Sequence, residues 1–145
     1  MTSTQVTSTQ ALLIRAKPNA PIACNMKGAP DTPRDRFAEY GRLFAHALID
    51  RRRTGDAVVF TFAAKPGVAE WVTDLARREA ACCSFCEYDV TVDGKHVVWR
   101  VSSQSGPVVQ AFLDEFHALP ERIGDGLEAL FARLTERGVA FEPPG

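Results

Sequence analysis

The chain has 145 residues, of which 46% are hydrophobic and 24% charged, and its formal net charge is −1. This composition is typical of one globular domain with one core. The charge argues against a nucleic-acid-binding module, which normally presents a strongly basic face. No apolar run approaches the ~18 residues of a membrane span, and the first residues lack the basic start and apolar stretch of a secretory signal. We therefore predict a cytoplasmic protein with neither nucleic acid nor a membrane as its partner.

The N-terminal third is predicted to begin without regular structure. Residues 1–10 are mainly Thr, Ser and Gln, which predicts a disordered tail, and residues 11–145 are predicted to form a single α+β domain. The apolar run at 12–14 predicts an edge strand. The segment 17–30 contains three prolines and a glycine, so a loop is expected there, and Cys24 lies in it.

The first helix has clear start signals. Thr32 is a suitable N-cap and Pro33 suits the first helical turn, and apolar residues then recur at helical spacing as far as Leu48. The basic run 51–53 is expected to end this helix, where the helix dipole favours positive charge. Alternating apolar residues over 56–63 predict a strand.

The second helix carries an unusual residue on its apolar side. It is predicted to start near Pro66, and its apolar stripe continues at helical spacing through Glu79 to Cys82 and Cys83. A carboxylate in line with an apolar stripe is notable, because burying an unpaired charge costs free energy. The alternative is that the stripe ends at the protein edge before Glu79.

The strongest local signal is a hairpin. Asp93-Gly94 stands between two alternating runs, which predicts a two-residue turn. Counting back from this turn pairs Cys86 with Val101 and places Cys86 on the inward, apolar face.

Two more helices complete the predicted fold. The third is expected to begin at Ser105-Gly106-Pro107 and to stop at Pro120, and the fourth to cover 121–137 with Gly138 as its C-cap. The strand–helix–strand unit predicts a right-handed crossover between parallel strands, to which the hairpin adds an antiparallel strand. The predicted class is an α+β two-layer sandwich, a small mixed sheet covered by helices, with an extra C-terminal helix through which a homodimer is predicted.

The cysteines are the most reactive candidates in the chain. Three of the four, Cys82, Cys83 and Cys86, fall within five residues. Thiolates are nucleophiles and ligands for soft metals, and thiols stay reduced in the cytoplasm. This cluster therefore predicts a thiol site.

A spaced pattern around these cysteines resembles a group of small bacterial proteins of unassigned function. It is also similar to segments fused behind regulators of the mercury-resistance regulator family. The resemblance covers residues 21–117 and implies that Cys24, Glu79, Cys82 and Cys83 belong to one site with a soft-metal context. The pattern consists of Pro21, Cys24, Glu79, Cys82, Cys83 and Phe85, followed by the hairpin.

Soft-metal binding is the leading hypothesis. Its candidate ligands are Cys24, Cys82, Cys83 and Cys86, and the candidate ions are Zn(II), Cu(I) and Hg(II). Adjacent residues point about 100° apart on a helix, so Cys82 and Cys83 do not easily share one ion. This favours two or three thiolates over four, and the partner is a metal ion or a small thiol-reactive ligand.

Other hypotheses remain open. A small cysteine-dependent enzyme would hold a soft metal with Cys24 and either Cys82 or Cys83, and would use Glu79 as the proton donor to break a carbon–metal bond. A redox pair or thiol sensor is suggested by the Cys83-x-x-Cys86 spacing, although a helix C-terminus raises thiol pKa values. The last alternative is that Cys82, Cys83 and Cys86 are buried small residues of the core with no chemical role.

Overall fold

The computed structural model describes residues 8–104 and 106–142. It confirms the α+β class: helices pack on one face of a five-stranded sheet. In chain order, the elements are β1 (Thr9–Ile14), β2 (Ala23–Asn25), α1 (Pro33–Ala47), β3 (Leu48–Arg53), β4 (Ala57–Ala63), α2 (Val68–Cys82), β5 (Glu87–Val92), β6 (His96–Ser102), α3 (Pro107–Arg122), a 3₁₀ turn (Ile123–Asp125), α4 (Leu127–Glu136) and β7 (Ala140–Glu142).

The main sheet has the strand order β1-β5-β6-β4-β3, and every neighbouring pair in it is antiparallel. Strands β4 and β5 do run parallel, as the strand–helix–strand unit predicts, but β6 lies between them. The mixed pairing expected in this sheet is therefore replaced by antiparallel pairing, because the second hairpin strand returns into the gap and bonds on both sides. Parallel pairing occurs instead between the short strands β2 and β7.

The core lies between this sheet and the helices. Burial alternates along β4 and β6, so that Phe60, Trp99 and their inward neighbours are fully buried. Aromatic rings join the layers: Tyr40 and Phe44 from α1 and Phe116 from α3 lie 5.3–6.1 Å from rings of the sheet. This packing fixes α1 and α3 on the sheet, and Arg36 at the start of α1 bonds Glu79 and Cys82 at the end of α2.

Two helix ends differ from the sequence prediction. Helix α1 stops at Ala47, and the basic run 51–53 lies in edge strand β3, where Arg53 bonds Asp114 of α3. Charged side chains are common on edge strands because they oppose pairing with other chains. Helix α3 continues through Pro120 to Arg122. Only one amide is missing near its end, and Arg51 donates to the His117 carbonyl in the same turn at 3.0 Å, so the helix tolerates the proline.

The fourth helix is shorter than predicted. It begins only at Leu127, after Gly126 at φ 94° has reversed the chain. The predicted C-cap is confirmed, since Gly138 adopts φ 94° and Val139 donates to the Leu134 carbonyl at 2.9 Å.

The pairing of the two hairpin strands is shifted by two residues from the predicted one. The Asp93 carboxylate accepts bonds from the backbone amides of Lys95 and His96, so the two-residue loop is Gly94-Lys95. Val101 consequently pairs with Tyr88 and not with Cys86. A shift of two residues in pairing keeps every side chain on its predicted face.

The N-terminal predictions are only partly correct. Residues 1–7 of the predicted tail lie outside the described residues, whereas Thr9 and Gln10 belong to edge strand β1. Strand β2 replaces part of the predicted loop, because the backbone around Cys24 pairs with β7. Within the described ranges, no helix is long and apolar enough to cross a membrane.

Candidate thiol site and adjoining cavity

Helix α2 positions three of the candidate side chains in its last turn. Glu79 and Cys82 lie on the buried side of the helix, and Cys83 is its C-cap, with a backbone amide that bonds the Glu79 carbonyl at 2.8 Å. The chain leaves the helix here because Cys83 has φ −120° and ψ 71°. The Tyr88 hydroxyl donates to the Cys83 carbonyl at 2.9 Å and fixes this corner against β5.

Cys24 approaches this corner from β2. Its side chain and that of Cys83 line the same cavity. Interaction with the Cys24 side chain is the largest cause that raises the pKa of the Cys83 thiol well above its usual range, and burial is the second. Cys24, Glu79, Cys82 and Cys83, which the resemblance assigns to one site, all line this cavity. Cys83 is buried, whereas Cys24 is half-buried and accessible.

The other two cysteines have different surroundings. The Cys82 sulfur accepts a hydrogen bond from Arg36 Nη1 at 3.2 Å, and burial raises the pKa of its thiol while Arg36 opposes the rise. Cys86 is 1% exposed, and burial raises the pKa of its thiol to about 12. Cys86 is absent from the described cavity wall.

Glu79 is buried, as its place on the apolar stripe predicts. Its Oε1 accepts from Arg36 Nη1 at 3.2 Å, and its Oε2 lies 3.8 Å from the Cys83 sulfur, which donates to it. Desolvation raises the pKa of this carboxyl, and Arg36 opposes the rise. The carboxyl is thus buried between the Arg36 guanidinium and the Cys83 thiol.

Sequence reasoning missed Arg36, which organises the site. Its guanidinium is 4% exposed and bonds Asp31 at 2.6 and 2.9 Å, in addition to Glu79 and Cys82. Arg36 lies one turn before Tyr40, on the buried side of α1. The sequence signal that could have identified Arg36 is its charge in line with the apolar residues of α1. The apolar stripe of α2 carries the opposite charge, Glu79.

A second arginine extends this network towards the surface. Arg78 bonds Asp31 at 2.9 Å, Glu39 at 2.6 Å and Asp74 at 2.8 Å. Trp71 Nε1 also donates to Glu39 at 2.7 Å. The network joins the loop before α1, α1 itself and α2, and so fixes the relative positions of Arg36 and Glu79.

A cavity of about 390 Å³ adjoins the thiols. Tyr40 lines it, and the buried Tyr40 hydroxyl interacts with Glu79 and helps to lower the pKa of that carboxyl. Helix α4 forms the outer wall. The lining residues are Cys24, Met26, Pro33, Arg36, Phe37, Tyr40, Glu79, Cys82, Cys83, Phe112, Glu115, Phe116, Leu119, Leu127, Leu130, Phe131 and Leu134.

The thiols do not form a closed metal cage. In the part of the chain that the structure describes, no group of three or more His, Cys, Asp or Glu side chains is arranged to hold a metal ion. The arrangement offers a pair of thiols, Cys24 and Cys83, with Glu79 beside one of them. Comparison of the chain with protein-family models, curated proteins and solved structures finds no match.

Proposed function

We propose that this chain is a thiol-based soft-metal-binding protein in which Cys24 and Cys83 hold the ion. The observation that carries the proposal is that Cys24 and Cys83, from two different elements, line the same cavity. A two-thiolate site suits Cu(I) or Hg(II) better than Zn(II), which normally takes four ligands in closed sites. Each thiol must lose its proton to bind, so we expect ion binding to release protons and to strengthen as pH rises.

The proposed role is sensing or detoxification in a reducing, cytoplasmic setting. The four free cysteines support a reducing setting, and the resemblance of the cysteine pattern to bacterial segments with a soft-metal context supports the role. We also propose a homodimer through α4, since Leu134 is the one fully buried residue that the structure describes in this helix.

The thiol pair is tested by cysteine substitution. Hg(II) binding should be measured by native mass spectrometry in the presence of excess glutathione, which removes the ion from weak single-thiol sites. Cys24→Ser and Cys83→Ser should each lower the affinity at least tenfold, because each removes one of two ligands. Cys86→Ser is the matched control and should change the affinity less than threefold. If Cys86→Ser loses Hg(II) affinity while Cys83→Ser binds Hg(II) as tightly as the wild type, the metal site does not lie at the cavity.

A small cysteine-dependent enzyme is a second candidate, favoured by the placement of Glu79. Its buried carboxyl accepts from the Cys83 thiol and faces the cavity. In the proposed step, Cys24 binds an organometal cation and releases its thiol proton. Glu79 then transfers its proton to the carbon, the carbon–metal bond breaks with its electron pair entering the new C–H bond, and the hydrocarbon leaves. The Cys83 thiol returns a proton to Glu79 and its sulfur binds the metal, whose oxidation state is unchanged.

Glu79→Gln separates the two candidates. With ethylmercury as substrate, ethane release measured by headspace gas chromatography should fall at least 100-fold, because the amide has no acidic proton to transfer. The Hg(II) affinity of this variant should remain within about threefold, since both thiols are present. Absence of ethane from the wild-type protein would refute the enzyme candidate and leave metal binding standing.

A further inference from the structure

We propose that the soft-metal ligand of this protein carries an aromatic ring, so that the bound species is an arylmetal cation with its ring in the cavity. The inference names the ligand class of the Cys24–Cys83 site and rests on the proposed function. The metal would bind the two thiols, and the ring would lie between α1, α3 and α4.

The cavity exceeds what a bare ion requires. Its volume is about 390 Å³, whereas an ion held by two sulfur atoms fills only a small part of that space. Cavities of roughly 300–1,000 Å³ are typical of sites for small organic molecules. The walls that α3 and α4 contribute are mainly apolar, with Glu115 as their one charged side chain in the described lining.

The walls are suited to an aromatic ring. Phe112 and Phe116 meet edge-to-face at 88° with centroids 5.7 Å apart, and Tyr40 meets Phe116 at 87° and the same distance. Aromatic rings favour this geometry, and a ligand ring would extend the same arrangement into the cavity. Phe37 and Phe131 add two further aromatic walls.

Charge in the walls is already neutralised. Glu115 bonds Arg122 and Arg133, each at 2.8 Å, and Arg36 is paired with Asp31 and Glu79. An ionised group on the organic part would displace these pairs, so a neutral organic group is favoured. A positive charge confined to the metal is compatible, because the two thiols neutralise it on losing their protons.

Tyr40 forms a fixed aromatic wall of the cavity. It is 5% exposed and its ring stacks on Trp99 at 6.1 Å. The ring cannot turn away without breaking this stacking, so its face stays available to a ligand ring.

The experiment compares two organomercury cations. Phenylmercury and methylmercury should be titrated against the protein in competition with glutathione. We expect the wild-type protein to bind phenylmercury in preference to methylmercury, with an affinity ratio at least ten times that of glutathione for the same two cations. Leu130→Trp, which fills the cavity from α4, should reduce this preference to that of glutathione while Hg(II) affinity stays within about threefold. Ala132→Trp, on the exposed side of the same helix, is the matched control and should keep the preference.

The outcomes distinguish this inference from the one it rests on. An equal preference in the wild-type protein and Leu130→Trp, with Hg(II) still bound, would overturn the aryl assignment alone. A dimer that sedimentation detects in the wild type and that Leu130→Trp dissociates would assign the cavity to a second copy, and would also overturn it. If the wild-type protein binds Hg(II) no more tightly than the Cys83→Ser variant does, the proposed metal site itself would be overturned.

Discussion

Arg36 joins three parts of the candidate site. From α1 it bonds the Asp31 carboxylate in the loop before that helix, the Glu79 carboxylate on α2 and the sulfur of Cys82. Desolvation opposes the charged form of this guanidinium, but its partners outweigh the effect and its pKa is raised. The guanidinium therefore stays charged and keeps Glu79 in place beside Cys83.

Replacing Arg36 should be strongly destabilising. Arg36→Met leaves Glu79 buried without its cation and removes one of the two arginines that pair with Asp31, and breaking a buried pair typically costs about 3–5 kcal/mol. The free energy of unfolding from urea titration measures this loss. Arg34→Met is the matched control, because Arg34 pairs with Glu128 at the surface, where both side chains are more than 70% exposed and such pairs contribute about 0–1 kcal/mol. An equal loss of unfolding free energy in the two variants would show that the buried ion pairs of Arg36 stabilise the fold no more than a surface pair does.

At the scale of elements, α1 and α2 are joined by an ionic network. Arg36 and Arg78 share Asp31, and Arg78 also bonds Glu39. Hydrogen bonds from these arginines hold the pKa values of Asp31 and Glu39 below their usual range. The network, together with the core, sets the spacing between the helices that carry the cavity walls.

The network predicts acid sensitivity. Because the pKa values of Asp31 and Glu39 are lowered by folding, their contribution is complete above their unfolded values of roughly 4 and is lost as pH falls below them. Glu79 acts in the opposite sense, since its raised pKa means that protonation relieves a cost of burial. We expect the urea midpoint to fall between pH 5 and pH 3, and Asp31→Asn to flatten the fall. A midpoint that stays constant over this range would contradict the role of the network.

At the scale of the whole molecule, some aromatic residues pack the core and others line the cavity. Phe60 is fully buried and contacts rings from β6, α1 and α3. Phe37, on the outer part of α1, is half-buried and lines the cavity. The same residue type therefore packs the core in one place and faces open space in the other.

Two alanine substitutions measure this division. Phe60→Ala should cost about 3–5 kcal/mol of unfolding free energy, because it opens a void between tightly packed rings. Phe37→Ala should cost less than about 2 kcal/mol, since part of its surface already faces the cavity. Thermal or urea unfolding of both variants provides the comparison. If Phe37→Ala loses as much unfolding free energy as Phe60→Ala, Phe37 is packed as tightly as a core residue and does not face open space.

The sequence by itself determined the local features of this protein. Hydrophobic periodicity predicted α2, the hairpin faces and the inward position of Glu79, because these depend on spacing along one element. Gly138 was predicted as a C-cap for the same reason, since a left-handed residue is a local requirement. The α+β class followed from the order of such elements.

Tertiary structure decided the rest. The insertion of β6 between β4 and β5 depends on which strand edges are free when the chain collapses, and helical spacing cannot show this. The basic run 51–53 joined β3 because an edge was available beside β4. Arg36 became central only when α1 met α2, since its partners lie up to 46 residues away. The cavity likewise exists only between packed helices, so its shape is a property of their arrangement and not of any single segment.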